Sequence, residues 1–112
     1  MTAEKLSSNE LHEALKNLGG WNLFEEGQSL TKTYQFDNFA QAFSFMTQVA
    51  LYAEKVNHHP EWTNIYNKVQ VRLFTHDCDG VSAKDIALAL YMDQSAFYYL
   101  NPCTSNQSDL VF

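Results

Sequence analysis

Three of the four histidines fall near two chain reversals: His58 and His59 stand directly before Pro60, and His76 precedes Asp79-Gly80. An unperturbed imidazole titrates at about 6.5, so it can give and take protons near neutrality, and a group of them suits general acid and base chemistry. Adjacent residues in an extended segment point apart, so His58 and His59 reach one point only if the backbone bends between them. Pro60 supplies a reason for such a bend. The competing reading is that His-His-Pro only caps a helix, where cationic imidazole is favoured by the negative end of the helix dipole. His12, flanked by Leu11 and Glu13, reads as a solvated surface histidine.

The neighbouring residue types allow other chemistry and limit it. Cys78 lies two residues after His76 and could join His58 and His59 around a zinc ion, but zinc sites usually pair their ligands at short separations on both sides, and only one side here carries a cysteine. A lone thiol acting as a small apolar residue is the better default. Glu54 is four residues before His58, the spacing of an ion pair along a helix. Asp85 is three residues after Ser82, the arrangement of a capping box with an acidic third residue. Trp21 and Trp62 are large apolar bodies of the kind found in cores and pocket walls. There is no glycine-rich phosphate loop, no Gly-x-Ser-x-Gly elbow and no pair of CxxC motifs, which leaves nucleotide-dependent and serine-nucleophile chemistry without support.

The elements that must position these groups follow from apolar spacing. Ser7 with Glu10 forms a capping box, and Leu11, Ala14, Leu15 and Leu18 recur at helical spacing until Gly19-Gly20. From Trp21 to Phe36 the period becomes two, with a glycine-containing turn over Glu25–Ser29 and with Leu30, Lys32, Tyr34 and Phe36 on one face, which predicts a hairpin. Asp37 is the expected cap of a second helix carrying Phe39, Ala42, Phe43, Met46, Val49, Ala50, Ala53 and Val56, ended by Pro60. Thr63–Tyr66 and Val69–His76 predict a second hairpin, with Val69, Val71, Leu73 and Thr75 on one face and Gln70, Arg72, Phe74 and His76 on the other. Ser82 then begins a third helix with Ile86, Ala89, Leu90, Ala96 and Phe97 inward. The expected fold is α+β: a two-layer domain, a four-stranded antiparallel sheet with three helices packed on one face. On the second helix Phe45, Tyr52 and Val56 widen the apolar arc to roughly 180°, more than one sheet requires, so either another subunit or the first helix must cover the surplus.

Composition bounds the function classes. A chain of 112 residues is one domain's worth, and 46% hydrophobic with 18% charged residues describes a folding sequence. Thirteen acidic against seven basic side chains give a net charge of -6, the wrong sign for gripping nucleic-acid phosphates or anionic lipid. The longest uncharged stretch, Asn38 to Ala53, is too polar to span a membrane, and Met1 to Leu6 lacks the apolar core of a signal peptide. Two cysteines are too few for a disulfide framework, so a reducing cytosolic setting is expected.

Several motifs stand in order along the chain: Ala53-Glu54-Lys55-Val56-Asn57-His58-His59-Pro60-Glu61-Trp62, then Tyr66-Asn67-Lys68-Val69, then Thr75-His76-Asp77-Cys78-Asp79-Gly80-Val81-Ser82-Ala83-Lys84-Asp85. Together they closely resemble the pterin-4a-carbinolamine dehydratase family. Phe36-Asp37-Asn38-Phe39-Ala40-Gln41-Ala42-Phe43-Ser44-Phe45-Met46 and Gly20-Trp21 extend the likeness over about residues 8–97. The resemblance implies loss of water from a 4a-hydroxytetrahydropterin to give the quinonoid dihydropterin, a step in recycling tetrahydrobiopterin, without metal or added cofactor. It places His58, His59 and His76 as catalytic groups, with His58 and His76 moving protons and His59 orienting the pterin. It also places Glu54, Trp62 and Asp85 in the substrate pocket, with Asp85 either orienting His76 or binding the aminopyrimidinone edge and Trp62 forming wall. It implies a homotetramer built as a dimer of dimers in the cytoplasm. Some members also stabilise the dimer of a homeodomain transcription factor, which could act in the nucleus and would use Phe45, Tyr52 and their neighbours. Residues 1–112 then form a single domain in which 98–112 are a C-terminal extension beyond the family pattern.

Overall fold

The computed structural model describes residues 4–25 and 28–100. The order is α1 (Ser8–Leu15), β1 (Asn22–Phe24), β2 (Ser29–Gln35), α2 (Phe39–Val56), β3 (Glu61–Ile65), β4 (Lys68–Leu73), a 3-10 turn (His76–Cys78) and α3 (Ala83–Leu100). The strands form one antiparallel sheet in the order β1-β2-β4-β3. This is the expected α+β architecture.

Alternation decides which side of the sheet is covered. Leu30, Tyr34, Val69, Val71 and Leu73 are buried, while Thr33, Gln35 and Gln70 between them are exposed. In register, Leu30 faces Leu73 and Tyr34 faces Val69, so both central strands turn their apolar side the same way. Against that side pack Phe45, Val49 and Ala53 of α2 and Leu88, Met92 and Ala96 of α3. Phe45 is the pivot: its ring lies 4.8 Å from Tyr34 and 5.1 Å from Phe36.

The Ser7–Glu10 capping box forms in both directions, satisfying two orphan amides of α1. Three local expectations change. The cap of α2 is Asn38, whose side chain accepts from the Gln41 amide, and not Asp37, which lies one residue outside the helix. Leu90 and Phe97 do not face inward, because α3 turns Leu88, Met92 and Ser95 to the core and leaves these two exposed. On α2 the apolar arc is wide as expected but rotated. Phe45 is fully buried and Tyr52 stacks on Tyr91 at 4.0 Å, while Phe39, Phe43, Leu51 and Val56 are the exposed members. The helix α3 continues through Leu100, where Tyr99 meets Phe36 edge-on at 5.9 Å. The rest of the expected extension, 101–112, lies outside the described residues.

The topology brings the histidines together. Because β3 and β4 run antiparallel as neighbours, the start of β3 lies beside the end of β4, with Glu61 opposite Arg72. The segment that enters β3, His58-His59-Pro60, therefore lies beside the segment that leaves β4, Phe74-Thr75-His76.

Candidate functional site: a histidine-lined cleft

The backbone turns twice to build the site. Asn57 ends α2 in the left-handed conformation at φ 55°, which asparagine tolerates, and the His58 amide returns to the Ala53 carbonyl at 3.1 Å. On the other side Thr75 pairs with Gly80 through two backbone hydrogen bonds, closing a loop that contains the 3-10 turn His76–Cys78. His76 thus begins a short turn and does not end the strand. Between the two segments lies an open cleft of about 440 Å³, in the size range of small-molecule sites. His58, His59 and His76 all line it, together with Glu61, Phe74 and Lys84.

Beneath His58 lies a buried carboxylate. His58 Nε2 is 2.6 Å from Asp85 Oδ1, and Asp85 has no exposed surface. The other oxygen, Oδ2, accepts from the Thr75 hydroxyl at 2.7 Å and from the Ser82 amide at 2.9 Å. Since Thr75 spends its one hydroxyl proton on Asp85, the Ser82 hydroxyl must donate to Thr75 across their 2.7 Å contact. An ionised Asp85 can only accept, so His58 donates from Nε2, and in a neutral imidazole the free lone pair is then on Nδ1. The capping reading of Ser82 and Asp85 survives alongside this: the Ser82 amide is held by Asp85, and the Ser82 hydroxyl accepts from the Lys84 amide at 3.2 Å.

The other histidines are more open. His59 Nε2 meets Glu54 Oε1 at 3.0 Å, with both side chains more than half exposed, so the pair is screened and weak. His76 is exposed and makes an edge-to-face contact with Phe74 at 4.5 Å. His12 is a surface residue hydrogen-bonded to the Ser8 carbonyl.

The geometry departs from three expected placements. Asp85 pairs with His58 and not with His76, and it has no exposed surface. Glu54 reaches His59, not His58, because Asn57 reverses the chain before a fourth-residue neighbour can stack on the helix. Trp62 does not line the cleft; it lies across from Val71 on the covered side of the sheet and packs against the core. The aromatic wall is Phe74, and the cation is Lys84; sequence reasoning assigned neither to the site. The signal for Phe74 was the strand alternation that puts it on the same side as His76. The sulfhydryl of Cys78 is directed to the Thr75 and Gly80 carbonyls at 3.7 and 3.6 Å. Among the described residues no three His, Cys, Asp or Glu side chains are grouped so as to hold a metal ion, and no helix is long and apolar enough to cross a membrane.

Fold and cleft together define a small two-layer α+β domain that presents three imidazoles, one of them backed by a buried carboxylate, to a pocket of small-molecule size. Residues 4–95 match the family described as Pterin 4 alpha carbinolamine dehydratase. The chain belongs to the pterin-4a-carbinolamine dehydratase family. It is 55% identical over 96 residues to a protein of Sinorhizobium fredii, covering 86% of this chain and 91% of the relative. It is 53% identical over 93 residues to one of Mesorhizobium japonicum, covering 83% and 95%. Both are named, provisionally, as pterin-4-alpha-carbinolamine dehydratases. A crystal structure described as a transcriptional coactivator/pterin dehydratase from Brucella melitensis superposes with a TM-score of 0.81 at 45% identity, over 83% of this chain and 99% of that one.

Proposed function

We propose that this chain dehydrates 4a-hydroxytetrahydropterin to quinonoid dihydropterin, and that the cleft's imidazoles carry the protons. The reaction breaks the C4a–O bond, releases water and forms the N5=C4a double bond as N5 gives up its proton. Hydroxide is a poor leaving group, so the step needs an acid at the departing oxygen and a base at N5. His58 and His76 are the two proton-transfer groups and His59 orients the pterin. The carrying observation is that all three line one cleft, with His58 held by Asp85 in the tautomer that leaves Nδ1 basic when the carboxylate is ionised. Asp85 acts here by positioning His58, Glu54 by steadying His59, and Phe74 by offering a face or edge to the flat ring. Trp62 supports the strand that carries the cleft wall from the core side.

The test is a coupled assay following 4a-hydroxytetrahydropterin breakdown with the intact protein and with His58→Ala and His76→Ala. Each variant should lose about 10² to 10⁴ in rate. Wild-type protein no faster than the uncatalysed background would sink the reading.

A second reading, a protein-binding role like that in the description of the Brucella protein, is favoured by one observation: Phe39, Phe43 and Leu51 are exposed on α2. Since Phe45 is buried, this outer face, and not Phe45, is the surface through which α2 would meet a second subunit of a homotetramer or a transcription factor. The reaction and the acidic composition suit a cytoplasmic protein whose nuclear role, if it has one, acts through a protein partner.

A further inference from the structure

Arg72 lies on the uncovered side of β4, and its guanidinium touches both halves of the cleft at once. Its Nε donates to Ser29 Oγ at 3.1 Å, and Ser29 is fully buried, so that end is fixed. One terminal nitrogen donates to Glu61 Oε1 at 3.2 Å, and the other lies 3.9 Å from Glu25. The guanidinium carbon is 4.9 Å from the centre of the Phe74 ring and 5.9 Å from that of Phe24. Glu61 directly follows His58-His59-Pro60, and Phe74 makes the edge-to-face contact with His76. A planar guanidinium can donate in its own plane while its flat side rests on a ring, which a lysine ammonium cannot do.

We propose that Arg72 is a positioning residue that clamps the two histidine-bearing segments together, through Glu61 on one side and through Phe74 onto His76 on the other. This rests on the acid–base reading of the cleft only for its kinetic consequence; the clamp itself is a structural claim. Phe74 is held between Arg72 and His76, so releasing the guanidinium frees the ring and lets the imidazole leave its position. Phe74 also forms the aromatic wall of the cleft, so pterin binding and the proton-transfer rate both suffer, and the position of the His76 resonance is what reads the clamp itself.

The experiment uses the whole chain with isotopically labelled histidine and follows the Cε1–H resonances of its four imidazoles, His76 being identified by its loss in His76→Gln. Phe74→Leu removes the ring current and sets the full displacement of the His76 signal. Arg72→Leu is expected to move that signal by at least about half as far and leave His12 in place, with kcat/KM falling about three- to tenfold, the scale of one partly exposed ion pair plus one cation–π contact. Arg72→Lys, which keeps the charge and loses the fork, should lie between, and it decides the matter if Arg72→Leu does not fold. A His76 signal that Phe74→Leu leaves unmoved, or that both Arg72 variants leave at the wild-type position, overturns the clamp. Wild-type protein without dehydratase activity overturns the acid–base reading instead, and the resonance positions still decide the clamp.

Discussion

His58 Nε2 and Asp85 Oδ1 stand 2.6 Å apart, with the carboxylate wholly buried and the imidazole 11% exposed. The arrangement is asymmetric: one end of the pair is locked into the base of α3 and the other opens on the cleft. Three donors converge on Asp85, from His58, Thr75 and Ser82, so it can hold the imidazole without drifting itself. In Asp85→Asn one oxygen becomes an NH2 group: turned to Thr75 and Ser82 it meets donors, and turned to His58 it makes Nε2 the acceptor and puts the imidazole proton on Nδ1. We expect kcat to fall about 10- to 100-fold, the usual cost of losing a group that orients a functional histidine. Stability should fall by about 1–3 kcal/mol, because a neutral amide with one acceptor oxygen replaces the carboxylate on which three donors converge. Steady-state kinetics and urea denaturation of the variant check both.

The Glu54–His59 pair provides the contrast. Glu54 is 82% exposed and His59 54%, so water competes for both. Glu54→Gln should change stability by less than about 1 kcal/mol and reduce kcat/KM only a few-fold, acting through KM. His59→Ala should likewise raise KM more than it lowers kcat, whereas His58→Ala should act on kcat. Equal kcat losses in the two histidine variants would remove the division of labour between them.

Much of this was legible in the sequence, and what was not has physical causes. The capping box at Ser7 and the period-two runs of β2 and β4 depend on local chemistry, so they could be read directly, whereas α2 ends at the left-handed Asn57 and not at the Pro60 expected to stop it. The meeting of His58, His59 and His76 at one edge followed once β3 and β4 were paired. Which carboxylate serves which imidazole could not be read, since that depends on the left-handed Asn57 and on the depth at which α3 enters. The same limit explains Leu90 and Phe97. An amphipathic wheel gives the width of an apolar arc, but only the packing of α2 on α3 sets which residues of it turn outward.

That outward arc can be tested against the buried one. Phe45 has no exposed surface and sits among Tyr34 and Phe36, so Phe45→Ala should cost about 3–5 kcal/mol through the cavity it leaves. Phe43 and Leu51 are 54% and 71% exposed, so Phe43→Ser with Leu51→Ser should leave the fold's intrinsic stability nearly unchanged. If α2 builds the oligomer, the same double variant should sediment as a smaller species than wild type. An unchanged sedimentation coefficient would move the subunit contact elsewhere.

Away from the cleft, Asp93 Oδ1 gathers three donors: the Trp21 indole at 3.1 Å, the Lys32 ammonium at 2.8 Å and the Tyr34 hydroxyl. Burial first, and the Asp93 carboxylate second, push ionisation of the Tyr34 hydroxyl far above its ordinary 10.0. The sign of the consequence follows from which state releases the proton. Below about pH 10 folded and unfolded chains both keep it, and the Tyr34 contribution is intact. Above that value the unfolded chain ionises and the folded one does not, so the contribution falls by about 1.4 kcal/mol per pH unit. Tyr34→Phe should cost about 1–2 kcal/mol at about pH 8, where the hydrogen bond to Asp93 is simply lost. At about pH 11 the gap between wild type and variant should be smaller by about 1.4 kcal/mol, since phenylalanine has no proton to release and the other tyrosines titrate alike in both proteins. Urea denaturation of the two proteins at both pH values measures the gap, and a constant difference would mean that Tyr34 ionises in the folded chain as readily as in the unfolded one.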